Sequence, residues 1–294
     1  MKRMLCIALA LLMVIGLGTS ALARVEVGEQ RVVLGADLNA EQRAQMFADF
    51  GLIQGTVSEL TVTIEEERAH LQDFVPASVI GSRSISSIYI ITAPAGTGLD
   101  ISINNINWLT ADIYRNALLT AGITDARVTI SAPFPVSGTA ALTGIYKAFE
   151  DITGEALSEE AKRVGIEEAI LTGNIAEALG NDEEITAMMN ELKLILDEIR
   201  YMSDDEVRVE IRSLATEHNI TLTDSQVEQI LRLARNLQDL DLGALRGALE
   251  AIVGNIDRLQ GVAGFFSSVA DFFSGVGEAV SGFFSWVGGL FRRN

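Results

Sequence analysis

No proline follows Pro135, so the second half of the chain lacks the one residue that denies a helix both a donor and its backbone space. Over that stretch apolar residues recur at three and four. Ile185, Met188, Met189, Leu192, Ile195, Leu196 and Ile199 predict one long helix. Ser203-x-x-Glu206 and Thr223-x-x-Gln226 are capping boxes that open two more. Val227, Ile230, Leu231, Ala234 and Leu237 form a buried stripe, and 240–259 continues as another helix. The expectation for 154–260 is an all-helical domain of four to six helices.

The first half alternates. Gln30–Leu34 is a short β-rich run, and Asn39 caps a helix through Phe50 with Gln42 completing a capping box. Leu60–Thr63 is extended, and Thr63-x-x-Glu66 opens a helix through His70. Ser84–Thr92 reads as a strand that Gly96-Thr97-Gly98 turns into Leu99–Asn105. Thr110 caps a helix that Gly122 ends, Ala126–Ser131 is a further strand, and a helix runs from about Thr139 to Ile152. A small sheet covered by helices follows, an α/β or α+β domain over 24–153. Gly154 and the acidic run Glu155–Glu160 mark the expected boundary with the helical domain.

Lys2 and Arg3 precede an apolar run to Leu17, and Ala21-Leu22-Ala23 gives a small-residue cleavage site before Arg24. These features predict a secretory signal peptide over 1–23 and a secreted or extracellular protein. Cys6, the single cysteine, lies inside the apolar run, so the mature chain has neither disulfide nor thiolate chemistry. The formal charge of -18 becomes -20 once Lys2 and Arg3 are removed. That balance argues against nucleic acid as a partner.

The stretches Leu34-Gly-Ala-Asp-Leu-Asn39, Gly81-Ser-Arg-Ser-Ile-Ser86, Asn107 to Gly122 and Ser131-Ala-Pro-Phe-Pro-Val-Ser-Gly-Thr-Ala-Ala-Leu-Thr-Gly144 are distinctive together. With them the chain resembles the secreted bacterial proteins grouped as domain of unknown function 1002, the YpuA-like family. The resemblance runs from about residue 30 to about residue 250. It implies a secreted protein of Gram-positive-type bacteria, and it brings no catalytic residue with it.

Between strand and helix, the turn Pro133–Thr139 is the leading candidate site. Its free amides suit an anion held at Ser137, Gly138, Thr139 and Ala140. The competing reading is tight packing, because Ser137, Gly138, Ala140, Ala141 and Gly144 let a helix lie close to a sheet. No Walker lysine and no G-x-G-x-x-G accompany the turn. His70 and His218 are the only histidines, and no G-x-S-x-G frames a serine, so no catalytic residue is assigned. The acidic clusters Glu65-Glu66-Glu67, Asp182-Glu183-Glu184 and Asp204-Asp205-Glu206 sit at helix N-termini, where the macrodipole accounts for them. None has the pattern of a calcium loop, and no metal or cofactor is expected. Asn104, Asn105, Asn107 and Trp108 suit a sugar contact or simply a strand end.

The residues 261–294 repeat FFSxV three times and hold seven of the twelve Phe. Phe265, Phe266, Phe272, Phe273, Phe283, Phe284 and Phe291 fall with the valines within an arc of roughly 120° on a helix, with Asp271 and Glu278 opposite. Trp286 belongs to the third repeat. Interspersed glycines cost about 0.8–1 kcal/mol each relative to Ala, so order is expected to come with burial. Three placements fit: the plane of a membrane interface, a transmembrane span, or a surface of the same protein or a second copy. A span would carry Asp271 and Glu278 into hydrocarbon, which disfavours it. The expectation is a non-enzymatic, envelope-associated protein docked peripherally on the outer face of the cell membrane. A secreted hydrolase acting on glycan, and assembly through paired tails, are the alternatives.

Overall fold

A computed structural model describes residues 27–75 and 80–243, together with 245, 247 and 249. The expected signal peptide and the Phe-rich segment lie outside the described residues.

The N-terminal half is an α+β fold on a mixed five-stranded sheet. In chain order the strands are β1 (Gln30–Gly35), β2 (Ser58–Val62), β3 (Ser87–Thr92), β4 (Leu99–Ile106) and β5 (Ala126–Val136), and their spatial order is β2-β1-β3-β5-β4. β1 pairs with β2 and β4 with β5 in parallel, while β3 joins the two pairs by antiparallel ladders. The helices are α1 (Ala40–Asp49), α2 (Ile64–Leu71), α3 (Ala111–Thr120) and α4 (Thr139–Thr153). Each parallel pair is therefore a strand–helix–strand unit, as parallel neighbours require.

Both sheet faces are covered. Val32 and Leu34 of β1 point into a small core with Met46 and Phe47 of α1 and Phe50, its C-cap. Val33, between them, points into the main core under α4. All three β1 side chains are fully buried, so a polar substitution at any of them would strand its group without water.

The asparagine and threonine caps form as the sequence predicts. Asn39 and Thr63 each close a capping box, with Gln42 and Glu66, and Thr110 accepts from the Ile113 amide. The strands hold two differences. The turn after β3 leads to a strand that is not its neighbour, because β5 inserts between β3 and β4. β5 also continues through Pro133 and Pro135 to Val136. Its ladder to β3 ends at Ser131, so one side of the strand is free of pairing there and tolerates residues without an N–H. The predicted seven-residue turn thus shrinks to Ser137 and Gly138.

The outer strands are irregular. β4 is broken by a bulge at Asn105, whose φ is 57°. β2 is five residues long, and Lys147 of α4 donates to its Thr61 carbonyl at 2.7 Å.

Beyond Gly154 the described residues are helical: α5 (Glu159–Leu179), α6 (Asp182–Leu194), α7 (Leu196–Ile199), α8 (Asp204–Glu217) and α9 (Asp224–Gln238). The capping boxes at Ser203 and Thr223 are both present. The long helix expected from Ile185 to Ile199 is instead broken at Ile195 into α6 and α7. Partners on α9 take the carbonyls near the break: Gln238 Nε2 donates to Leu196 O, and Arg235 donates to Ile199 O and Met202 O. One apolar core runs from the sheet through α3, α5 and α6 to α9. α3 and α5 meet closely at Gly165, where an added Cβ would sit 2.5 Å from the Ala117 carbonyl oxygen.

Candidate functional site

The strand-to-helix turn faces a cavity of about 230 Å³. Its lining includes all four residues of the predicted anion site, Ser137, Gly138, Thr139 and Ala140, together with Glu67, Arg83 and Ser86. Three separate stretches of chain build the walls.

The first wall is 80–86, pinned to the end of β1. The Ser84 amide donates to Asp37 Oδ2 at 2.7 Å, and Gly35 N donates to Ser87 Oγ at 3.2 Å. Gly35 is required for this approach, since a Cβ there would lie 2.8 Å from the Ile85 Cα. Arg68 of α2 donates to the Gly81 carbonyl at 3.1 Å. Arg83 is left exposed at the rim with its guanidinium over the Phe134 ring, 5.9 Å from the centroid. No acid pairs with Arg83 among the described residues.

The second wall is the N-terminus of α4. Gly138 is its N-cap, with φ of 93°, and it supplies no side chain to cap the helix. The conformation is fixed from below: Tyr114, fully buried on α3, donates to the Gly138 carbonyl at 2.6 Å. The Thr139 and Ala140 amides have no acceptor among the described residues. Ordinary N-caps spend a side-chain oxygen on such donors, and this helix does not.

The third wall is Glu67 of α2. The macrodipole reading of Glu65-Glu66-Glu67 holds for the first two and fails for the third. Ile64, Glu67 and Leu71 share the buried face of α2, and Glu67 is 2% exposed. Thr139 Oγ1 donates to its Oε1 at 2.6 Å, while Oε2 is buried without a partner among the described residues. Burial pushes this carboxyl up to about 7, against the opposing pull of the Thr139 hydroxyl and of Arg68. The three-and-four spacing of Ile64, Glu67 and Leu71 was the signal in the sequence.

Gly144 does let α4 lie on the sheet, but an added Cβ would reach Val33 at an ordinary 3.5 Å, so the approach is close without being critical.

A larger cavity of about 600 Å³ lies on the other side of Ser137, lined by Asn107, Trp108, Thr110, Asn174, Glu177 and Asp182 among others. Asn104 and Asn105 do not line it. Asn104 donates to Ser131 and Asp49, and Asn105 donates to the Ala132 carbonyl, so both serve the β4–β5 bulge.

The histidines lie elsewhere. His70 Nδ1 is 3.2 Å from Thr143 Oγ1, and burial, helped by the charge of Lys162, holds the ring below its ordinary value. His218 is the C-cap of α8, with Nε2 2.9 Å from Glu191, whose hydrogen bond raises it. Among the described residues no group of three or more His, Cys, Asp or Glu is placed to hold a metal ion, and no helix is long and apolar enough to cross a membrane.

Comparison with known proteins agrees with the resemblance drawn from the four motifs. An uncharacterised protein of Bacillus subtilis (strain 168), YpuA, is 37% identical over 241 residues, which covers 81% of each chain. No solved structure matches the fold. A family described as a protein of unknown function, DUF1002, matches residues 34–251, and the chain belongs to it.

Proposed function

We propose that this chain is a secreted, non-enzymatic protein of the cell envelope, an α+β and helical body with a small ligand pocket, held at the outer membrane face by its Phe-rich segment. The observation that carries the reading is the threefold FFSxV repeat, whose six Phe, with Phe291, share one face at helical spacing. Full burial of each Phe is worth about 1.5–3 kcal/mol, which exceeds the cost of the glycines between them. The acidity of the chain gives anionic lipid no long-range attraction, so apolar burial drives the docking. The binding reading of the pocket is supported by its single carboxylate, Glu67, among the described lining residues. Glycoside hydrolysis by the usual route needs two.

Flotation of residues 24–294 and 24–260 with phosphatidylcholine vesicles, with and without phosphatidylglycerol, tests this. The longer chain is expected to float on neutral vesicles at least as well as on anionic ones, and the shorter chain to stay in solution. If neither floats and light scattering shows the longer chain alone as an oligomer, assembly through the tails replaces membrane docking.

A further inference from the structure

The cavity beside Gly138 gathers donors around one carboxyl group. The α4 N-terminus offers two free amides, and no side chain caps it. Arg83 stands at the rim without an acidic partner among the described residues. Ser82 and Ser86 add hydroxyls, while that of Ser137 donates to Thr139 Oγ1 at 3.3 Å. Glu67 is buried against this donor set, with Oε1 satisfied by Thr139 and Oε2 without a partner. A cation entering here would meet the positive end of a helix and a guanidinium with a single carboxyl to hold it. An anion would meet donors throughout, provided that the carboxyl also donates.

We propose that this cavity binds a small oxyanion, a carboxylate or phosphate group, seated on the Thr139 and Ala140 amides, faced by Arg83 and hydrogen-bonded by the Glu67 carboxyl. Because Thr139 donates to Oε1, the proton of the neutral acid belongs on Oε2, the oxygen without a partner among the described residues. Binding is therefore coupled to the protonation of Glu67.

The surroundings of Glu67 leave this coupling intact. On α2, Glu66 is paired with Lys147 of α4, and His70 turns to Thr143. Arg68 is spent on the Gly81 carbonyl. Lys162 of α5 is held by Glu150 and Glu159. Tyr114 of α3 is buried, and burial together with Glu67 pushes its phenol up, so it stays neutral. Arg83 is the one further charge on the cavity lining.

The pocket reading is independent of the tail: calorimetry reports on the cavity whether or not the protein floats. Isothermal titration of the mature chain with acetate, inorganic phosphate and sulfate, at about pH 6 and about pH 8.5, tests it. Sulfate does not titrate between those values, so its pH dependence belongs to the protein. With the Glu67 carboxyl near 7, the competent fraction falls about tenfold per pH unit above that point, and affinity for sulfate is expected to drop about 30-fold. Tighter acetate assigns a carboxylate ligand and tighter phosphate a phosphate ligand, and either upholds the proposal. Glu67→Gln keeps a neutral donor and is expected to bind equally at both pH values. Arg83→Ala, on the surface, is expected to weaken binding about tenfold at both while leaving the melting temperature unchanged. The absence of saturable binding up to about 50 mM, affinity that rises with pH, or an Arg83→Ala variant that binds normally would overturn it.

Discussion

Lys193 Nζ lies 2.7 Å from Glu168 Oε1, and both side chains are sealed from solvent between α5 and α6. Thr120 Oγ1 donates to the other Glu168 oxygen at 2.5 Å, which ties α3 to the same pair. A buried ion pair of this kind contributes little net stability against an apolar pair of equal volume, but breaking it leaves one charge uncompensated. Lys193→Met alone is expected to cost about 3–5 kcal/mol. Lys193→Met combined with Glu168→Leu is expected to recover most of that loss. Urea denaturation of the two variants checks this, and equal stability of the single and double variants would show that the pair is not coupled.

Glu67 makes stability depend on pH in an unusual direction for an acid. Its folded value, about 7, lies above the ordinary 4.5, so the folded state holds the proton more tightly than the unfolded chain does. The contribution is fully present below about pH 4.5 and is lost as pH rises to about 7. Above that, the cost of ionising the buried group reaches about 3 kcal/mol. Glu67→Gln removes the titration. It is expected to melt at a higher temperature than the parent at pH 8, and the advantage should vanish near pH 4. Thermal melts across that range decide it, and parallel curves for parent and variant would refute the assignment.

Glycines at two close approaches should respond differently to a methyl group. Gly165→Ala drives a Cβ to 2.5 Å from the Ala117 carbonyl oxygen, a backbone atom that cannot yield without separating α3 from α5. A loss of about 1–3 kcal/mol is expected, as for overpacking elsewhere. Gly144→Ala meets only ordinary contacts in α4 and gains helix propensity, so it is expected to be neutral or to stabilise by up to about 1 kcal/mol. Chemical denaturation of both variants tests the contrast, which disappears if the two lose stability equally.

Local chemistry was legible in the sequence, and long-range pairing was not. Asn39, Thr63, Ser203 and Thr223 cap helices through residues three positions away, so a short window contains the whole interaction. The insertion of β5 between β3 and β4 depends on partners about forty residues apart, and no local pattern encodes it. The break at Ile195 likewise depends on Arg235 and Gln238. Ser137, Gly138, Thr139 and Ala140 were recognisable as a strand-to-helix turn rich in small residues. Glu67 escaped notice because its cluster already had a sufficient explanation, and its partner Thr139 lies 72 positions along the chain. Two of the four stretches that carry the family resemblance, 81–86 and 131–144, line this cavity, and the other two hold them in place. The 34–39 and 81–86 stretches are joined by Asp37 and Ser84, and the other two by Tyr114 and Gly138.

The two outer strands decide what copies of this body do to one another when concentrated. An unprotected sheet edge recruits strands from other molecules and seeds fibres. β2 offers only five residues, with a charged Glu59 among them and the Thr61 carbonyl already held by Lys147. β4 has its Leu99 carbonyl held by Arg115 at one end and is kinked at Asn105 near the other. Both routes to cross-molecular β pairing are blunted within the fold itself, so strand addition at either edge of the sheet is disfavoured.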